Sequence, residues 1–467
     1  ASVRRAGRRA LRVLAAAGAA LGATAMAATV AGVGRGVPGV GLASGGGPAG
    51  SFLPRRLSVN ASNPFVGQAL YVNPSYVEEL ETSISTANGV VKSTLEAMRG
   101  VPSAYWLDTK AKIKGKGSKT MEGILADAAK KSPPELVTFI VYDLPNRDCH
   151  AKASNGEICC TYLEDGRCDY SASGTCADGI GEYKTKYIDE IVAVLGKYDG
   201  LVPIVLVIEP DSLPNLSTNR ADPRCGNAAT VAAYQQGVAY AVKAIGDHTS
   251  HVSMYLDAGH GGWLGWKNNM LDFVKTIQDL GVAAHLRGFA TNVAGYQALG
   301  KMCPEYDWCL NNAHPYDECC YDPCGLTAEW DPSQNEHNYA MHLRKAMSEG
   351  IAGFEPHIII DTGRNGVANE RADCANWCNI RGAGVGLIPT TATADPEIID
   401  AYFWLKTPGE SDGCTQTLPD GTQCPRFDAD CGSPDSLGSW PGEPRAPEAG
   451  AWFDYQIKML ATNAHME

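Results

Sequence analysis

The chain has 467 residues, 44 % of them hydrophobic, with 51 glycines and 27 prolines, enough for one large loop-rich barrel or two ordinary domains. Its net charge of −13 conceals eight arginines in the first 56 residues, ahead of the first acidic residue, Glu78, so the remainder is more acidic still. An acidic body repels nucleic acid and anionic lipid, which argues against both as partners.

The first segment reads as a secretory leader. Arginines cluster at residues 4–12, an Ala/Leu/Val-rich stretch runs to about residue 33, and Ala25-Met26-Ala27 offers a small-residue cleavage site. A membrane anchor and an Arg-rich transit peptide are the alternatives, and the predominance of Ala and Gly weighs against the anchor. Gly, Pro and Ser dominate residues 34–50 and predict disorder. Residues 1–57 are therefore assigned to a leader and disordered segment, and residues 58–467 to one folded domain of a secreted, extracellular protein with no membrane span in its mature form. Glycosylation sequons stand at Asn60-Ala61-Ser62 and Asn215-Leu216-Ser217.

Beyond residue 64, strand-like and helix-like segments alternate. Short aliphatic runs predict strands at 103–108, 136–144, 202–211, 252–259, 286–293, 357–363, 384–389 and 401–406. Apolar residues at three- and four-residue spacing predict helices at 122–131, 183–198, 228–245, 270–280 and 335–349. Repeated βα units imply a parallel sheet, and eight strands of this kind imply a (β/α) barrel with its site at the C-terminal strand ends.

That rim is where the acids fall. Asp108, Asp143, Asp211, Asp257 and Asp361 each end a predicted strand, Asp148 lies shortly beyond Asp143, and Lys406 and Asp412 follow the last strand. One aspartate at a strand end is usually a cap or turn residue. Five on one rim repel each other and push at least one carboxyl towards the neutral range, where it can act as a general acid. Trp106 ends the first strand, while Trp263 and Trp266 occupy a Gly-rich loop just after Asp257. Indole faces beside carboxylates suit a sugar ring, apolar on its faces and hydroxylated at its edge, and so suggest glycoside hydrolysis.

The sixteen cysteines concentrate in loop-like segments, "EICCTYLEDGRCDYSASGTC", "CPEYDWCLNNAHPYDECCYDPC" and "CTQTLPDGTQC". Stapled loops in an oxidising compartment explain them better than zinc does, because no second Cys pair or His pair stands at zinc-site spacing. Cys414 and Cys424 would close a short local loop.

In order along the chain, "VYDLPNRDCHAKASNGE", "LVIEPDSLPNLSTN", "MYLDAGHGGWLGW", "RGFATNVAGY", "NWCN", "WLKTPGESDG" and "PRFDADC" resemble glycoside hydrolase family 6, the cellobiohydrolases and endoglucanases that cleave β-1,4-glucan with inversion. The resemblance runs from about residue 63 to residue 463. It implies a distorted (β/α) barrel of about seven to eight parallel strands, covered by disulfide-stapled loops, so that one of the eight strand candidates should prove irregular. It makes residues 58–467 a catalytic domain, with Asp211 as general acid, Asp148 as the neighbour that keeps this acid protonated, and Asp412 as the residue often proposed as base. Tyr142 and Ser154 match residues that act on ring distortion and on the attacking water. Asp257 matches an aspartate near the cleaved bond. Trp106, Trp263, Trp266 and Trp377 match sugar platforms; His260, Asn292, Lys406 and Glu410, with Asp108 on the same rim, complete the substrate-binding set. Asp143 and Asp361 keep a structural reading. The family's disulfides map onto Cys149–Cys225 and Cys378–Cys431. The implied partners are cellulose and cello-oligosaccharides, the protein is expected to be a monomer, and neither a metal nor an organic cofactor is called for.

Rival readings are weaker. "GESDG" fits a serine-nucleophile turn, but the turn-rich sequence after it cannot supply the helix that such a turn requires. A noncatalytic glucan-binding protein would keep the tryptophans and lose the acid, yet Asp148 and Asp211 are both present. Within the family, the loops after "RDC" and "SDG" are full length or longer and favour a cellobiohydrolase over an endoglucanase.

Overall fold

The computed structural model describes residues 62–171 and 174–467; the predicted leader, its cleavage site and the Asn60 sequon lie outside the described residues. Seven parallel strands form one sheet in sequence order: β1 (Tyr105–Leu107), β2 (Val137–Val141), β3 (Ile204–Ile208), β4 (Val252–Asp257), β5 (Gly288–Thr291), β6 (His357–Asp361) and β7 (Ile399–Phe403). The principal helices of the outer layer are Met121–Ala128, the run from Ala177 to Tyr198, Ala228–His248, Lys267–Leu280 and Glu336–Gly350.

The aliphatic runs are apolar throughout because both faces of the sheet are covered. Phe139, Val141, Leu206, Ile208 and Leu256 point outward into the core shared with the helices. Their alternates Ile140, Val205, Val207, Tyr255 and Ile359 fill the inside of the curled sheet. Phe65 plugs that interior from below, its ring 5.7 Å from Phe403 and 6.4 Å from Tyr255. Among the described residues no ladder joins β7 to β1. Loop hydrogen bonds close the seam: Ala104 N donates to Trp404 O at 2.9 Å, and Trp106 Nε1 to Leu405 O at 2.9 Å.

The eighth strand candidate, 384–389, is the irregular one. Its backbone pairs with the C-terminal segment rather than with the sheet, through Val385 N to Leu460 O (3.2 Å), His465 N to Val385 O (2.7 Å) and Ile388 N to Met466 O (3.3 Å). Only one bridge, Gly384 to Asn365, has strand character. Among the described residues no helix is long and apolar enough to cross a membrane.

One charged cluster sits inside this apolar frame, at the N-terminal end of the barrel. Asp400 of β7 is fully buried and accepts from Arg287 Nε (2.9 Å), Arg287 Nη2 (3.0 Å) and Tyr255 Oη (2.5 Å). Removing one partner of a buried ion pair strands the other charge, which costs about 3–5 kcal/mol. Asp400→Ala should therefore lower the unfolding free energy by that order, seen as a lower urea midpoint, whereas a midpoint within experimental error of wild type would show that the pair contributes nothing.

Candidate active site

The strands deliver their side chains to a cavity of about 530 Å³ at the C-terminal end of the sheet. Asp211, Asp148, Asp412 and Tyr142 all line it, as do Trp106, Trp263 and Trp377. Asp108, Ser154, His260, Lys406 and Glu410 complete the expected residues found there. Asp257, Asn292 and Trp266 are not part of the lining.

The chain turns abruptly where β3 ends. Glu209 and Asp211 both adopt positive φ, 47° and 58°, so the strand's alternation breaks at this point. Glu209 turns into the wall, where it accepts from Tyr183 Oη (2.7 Å) and from the backbone N–H groups of Asp143 (3.2 Å) and Leu144 (3.3 Å). Asp211 faces the cavity, and its backbone N–H donates to Asp257 Oδ2 at 3.1 Å. Asp257 also accepts from Gly259 N at 3.3 Å and is 1 % exposed, so it supports Asp211 from behind. Burial, then the negative charges of Asp148, Asp257 and Asp412, hold the Asp211 carboxyl well above the ordinary carboxylate range.

Asp148, at φ 52°, follows β2 and accepts from Tyr142 Oη at 2.7 Å. Burial raises its pKa, against the opposing pull of the Tyr142 hydrogen bond and the Arg147 charge. The Tyr142 ring is fixed edge-on to Trp106 at 5.0 Å, with the Arg147 guanidinium 4.3 Å from its centroid. A single π-helical turn, Tyr183–Ile188, supplies the tyrosines beneath: Tyr187 Oη accepts from Tyr142 N at 2.9 Å while Tyr183 holds Glu209. Such turns often mark functional sites.

Asp412 comes from the loop after β7. Its Oδ1 pairs with Arg364 Nη1 at 2.6 Å, and its Oδ2 accepts from Tyr296 Oη (2.7 Å) and Asn379 N (2.8 Å). Three of the four lone-pair positions of the carboxylate are thus taken, and the one left is on Oδ1.

The remaining wall is held in pairs. Lys406 binds Glu410 at 3.2 Å and stands 5.1 Å from the Trp106 ring; Lys112 binds Asp108 at 2.7 Å. Trp263 donates to Thr218 Oγ1 at 2.6 Å and lies against Gly259, where a Cβ would come within 2.9 Å of the indole. Trp377 donates to Asp430 Oδ2 at 2.8 Å. Asn292 is 1 % exposed and engaged internally with Asp361 O and Gln297 N. Trp266 is half-buried and donates to Glu329 O at 3.0 Å, beyond the cavity. Asp361 accepts four backbone N–H groups, from Ala294, Gly363, Leu405 and Lys406, which ties together the chain ends after β5, β6 and β7. Asn215, in the second sequon, is buried.

Sequence reasoning missed Glu209, Arg147, Arg364 and Arg371. Glu209 had a signal, a carboxylate at the end of a wholly apolar strand. Arg147 had a local one, Asp143 four residues before it, whereas Arg364 had none, since its partner Asp412 lies in a distant loop.

Sixteen cysteines form eight disulfides. Cys149–Cys225, Cys378–Cys431 and Cys414–Cys424 are among them, with Cys159–Cys168, Cys160–Cys176, Cys303–Cys319, Cys309–Cys320 and Cys324–Cys374. The loop after Asp148 and the loop after Asp412 meet: Lys152 N donates to Asp428 Oδ2 (2.8 Å), Arg426 Nη1 to Asn155 O (2.9 Å) and Arg167 Nη1 to Pro425 O (3.0 Å).

A family model described as glycosyl hydrolases family 6 matches residues 65–464. A protein from Aspergillus fumigatus named probable 1,4-beta-D-glucan cellobiohydrolase C is 40% identical over 412 residues, 87% of this chain and 78% of the relative. Exoglucanase 3 of Agaricus bisporus is 36% identical over 410 residues, 87% of this chain and 80% of the relative. Among solved structures, cellobiohydrolase II (Cel6A) of Humicola insolens in complex with glucose and cellotetraose is similar with a TM-score of 0.69 and 33% identity, over 86% of this chain and 99% of that one.

The buried acids give the fold a pH dependence. Burial pushes Glu79, Glu209, Asp257, Asp331 and Glu336 up to about 7 and Asp361 up to about 6. The folded chain therefore keeps protons that the unfolded chain releases near pH 4, and stability from this source is lost as pH rises through about 6 to 7. Four histidines oppose it: burial lowers His260 to about 3, His337 and His342 to about 4, and His357 by less, so the unfolded chain binds protons there below about pH 6.5. Six carboxyls outweigh four imidazoles, and the urea midpoint should fall as pH rises from about 5 to about 7.5. A midpoint that rises over this range would contradict the assignment of protons to the buried acids.

Proposed function

The chain belongs to the glycosyl hydrolases of family 6, and on that premise we propose that it hydrolyses the β-1,4-glucosidic bonds of cellulose with inversion, as a cellobiohydrolase releasing cellobiose from non-reducing ends. One observation carries the reading: a carboxyl that keeps its proton, Asp211, shares an indole-walled cavity with a second, salt-bridged carboxylate, Asp412.

In this reading the glucan lies along Trp106, Trp263 and Trp377, with its hydroxyls facing His260, Asp108, Ser154 and the Lys406–Glu410 pair. Asp211 protonates the glycosidic oxygen as the bond to the anomeric carbon breaks. Water attacks that carbon from the opposite face of the ring, as inversion requires. Asp148, held by Tyr142, keeps the proton on Asp211 through its own charge until the bond breaks. The donors around Asp412 leave only the outer lone pair of Oδ1 to receive the water's proton, directly or through a second water.

The bridged loops favour exo action over endo action. Both loops line the cavity, and hydrogen bonds between them restrict entry to a chain end. Eight disulfides suit a secreted enzyme working in an oxidising environment. Cellulose and cello-oligosaccharides are the partners, bound by a monomer.

Asp211→Asn should reduce kcat on cello-oligosaccharides by about 10²–10⁴ while leaving cellulose binding nearly intact; turnover at the wild-type rate would remove Asp211 from the donor role. Stereochemistry supplies a second check. Proton NMR of freshly formed product should show the α-anomer first, and initial β-cellobiose would mean a covalent intermediate instead of direct attack by water.

A further inference from the structure

A chain of hydrogen bonds ends at the cavity wall. Arg371 Nη2 donates to Gln297 Oε1 at 3.1 Å, and Gln297 Nε2 lies 3.1 Å from His260 Nδ1. A guanidinium has donors and no acceptor. The Gln297 amide must therefore turn its oxygen to Arg371 and its NH₂ to the imidazole, which settles an orientation that distance alone leaves open. A donor facing Nδ1 makes that nitrogen the acceptor, so in the neutral ring the proton resides on Nε2. The ring is neutral over the ordinary pH range, because burial and then the Arg371 charge press its pKa down to about 3. His260 lines the cavity, and among the described residues Nε2 has no hydrogen-bond partner.

The arrangement is built in from several sides. Gly262 leaves the space for the amide, since a Cβ there would fall 2.4 Å from Gln297 Nε2. The Gln297 backbone is held by Asn292 Oδ1 (3.0 Å) and Asn365 Nδ2 (3.1 Å). Arg371 is held by Cys374 O (2.9 Å) and Glu370 (3.3 Å), and Cys374 is joined by a disulfide to Cys324 of the cysteine-rich excursion after β5.

We propose that Arg371 and Gln297 are positioning residues that fix His260 as its Nε2–H tautomer and so make it a hydrogen-bond donor to a hydroxyl or ether oxygen of the bound glucan. The donor role rests on the reading of this cavity as a glucan site; the tautomer itself does not. It gives the cysteine-rich excursion a task, since the loop that carries Arg371 is stapled to it.

The test uses ¹⁵N-histidine NMR on the intact enzyme without substrate, together with steady-state kinetics on cellotetraose. The wild-type spectrum should show His260 with Nδ1 unprotonated and Nε2 protonated; the reverse assignment would overturn the proposal. Gln297→Glu keeps an acceptor for Arg371 but turns the group facing Nδ1 into an acceptor too. At about pH 7.5 it should move the proton to Nδ1 and raise KM about tenfold, the loss of one hydrogen bond, with kcat much less affected. A switched tautomer with unchanged KM would overturn the donor role. Gly262→Ala, which displaces the amide without adding charge, should give a mixture of tautomers and an intermediate KM; a pure Nε2–H spectrum in that variant would show that Gln297 does not set the proton. Failure of the glucan reading would look different, as a wild-type enzyme inactive on β-1,4-glucans that still shows the Nε2–H ring.

Discussion

The Glu209 carboxylate is the fixed point of the cleft. It lies at the end of β3, fully buried, and accepts from two successive backbone N–H groups after β2 and from Tyr183 Oη. Two strand ends and one helix are thereby locked to a single group. Asp148 leaves from one of those strand ends and Asp211 from the other, so the distance between them is set by a residue that touches neither the cavity nor any ligand in it. Tyr183 and Tyr187, four residues apart on one face of the π-helical turn, both meet the sheet there and reach Glu209 and Tyr142 N.

Around that fixed point, the acids are sorted by which of them receive a cation. Asp412 has Arg364, and Arg147 pairs with Asp143 while its charge also reaches Asp148. Asp211 has neither: its neighbours in the electrostatic balance are Asp148, Asp257 and Asp412, all of which favour its protonated form. A carboxyl without a counterion in a ring of carboxylates keeps a proton, and each pKa unit of such preference corresponds to about 1.4 kcal/mol. Asp257 also lacks a counterion and is pushed up to about 7, but of the two only Asp211 lines the cavity. The identity of the proton donor is thus a consequence of where two arginines are absent as much as of where the aspartates are present.

The sequence made the barrel legible because its strands are covered on both faces and read as unbroken aliphatic runs. It was least legible where that pattern fails. β7 starts at Ile399, earlier than the apolar run suggests, because Asp400 is a strand residue whose charge is answered by Arg287 inside the barrel. The 384–389 run looks like a strand because it is apolar, but its hydrogen bonds go to the C-terminal segment and Ile388 is exposed. In "IEPD" the alternation of an extended chain would send Glu209 and Asp211 to the same face, and only the positive φ at both residues separates them. Cysteine spacing could not distinguish Cys159 from Cys160 or Cys319 from Cys320, since adjacent sulfurs have nearly the same reach; the structure sends each to a different partner. The residues facing the cavity were legible through motif resemblance, whereas Arg364, Arg371 and Gln297 behind them depend on contacts between loops far apart in sequence.

The distribution of covalent links divides the molecule by how each part is held. No disulfide joins two strands of the sheet; burial of aliphatic side chains on both its faces suffices there. The loops above have little core of their own, and short closures such as Cys159–Cys168, Cys160–Cys176 and Cys414–Cys424 restrict them instead. Across the cleft the arrangement changes again. No disulfide links the loop after Asp148 to the loop after Asp412; among the described residues they are joined by Lys152–Asp428, Arg426–Asn155 and Arg167–Pro425 and by the apolar cluster that buried Ala153 forms with Cys431 and Phe427. Each of the three hydrogen bonds has one charged partner, a class that contributes about 1.5–3 kcal/mol, and none of them is a covalent link. Each half of the roof is therefore covalently constrained in shape, while the join between the halves is non-covalent.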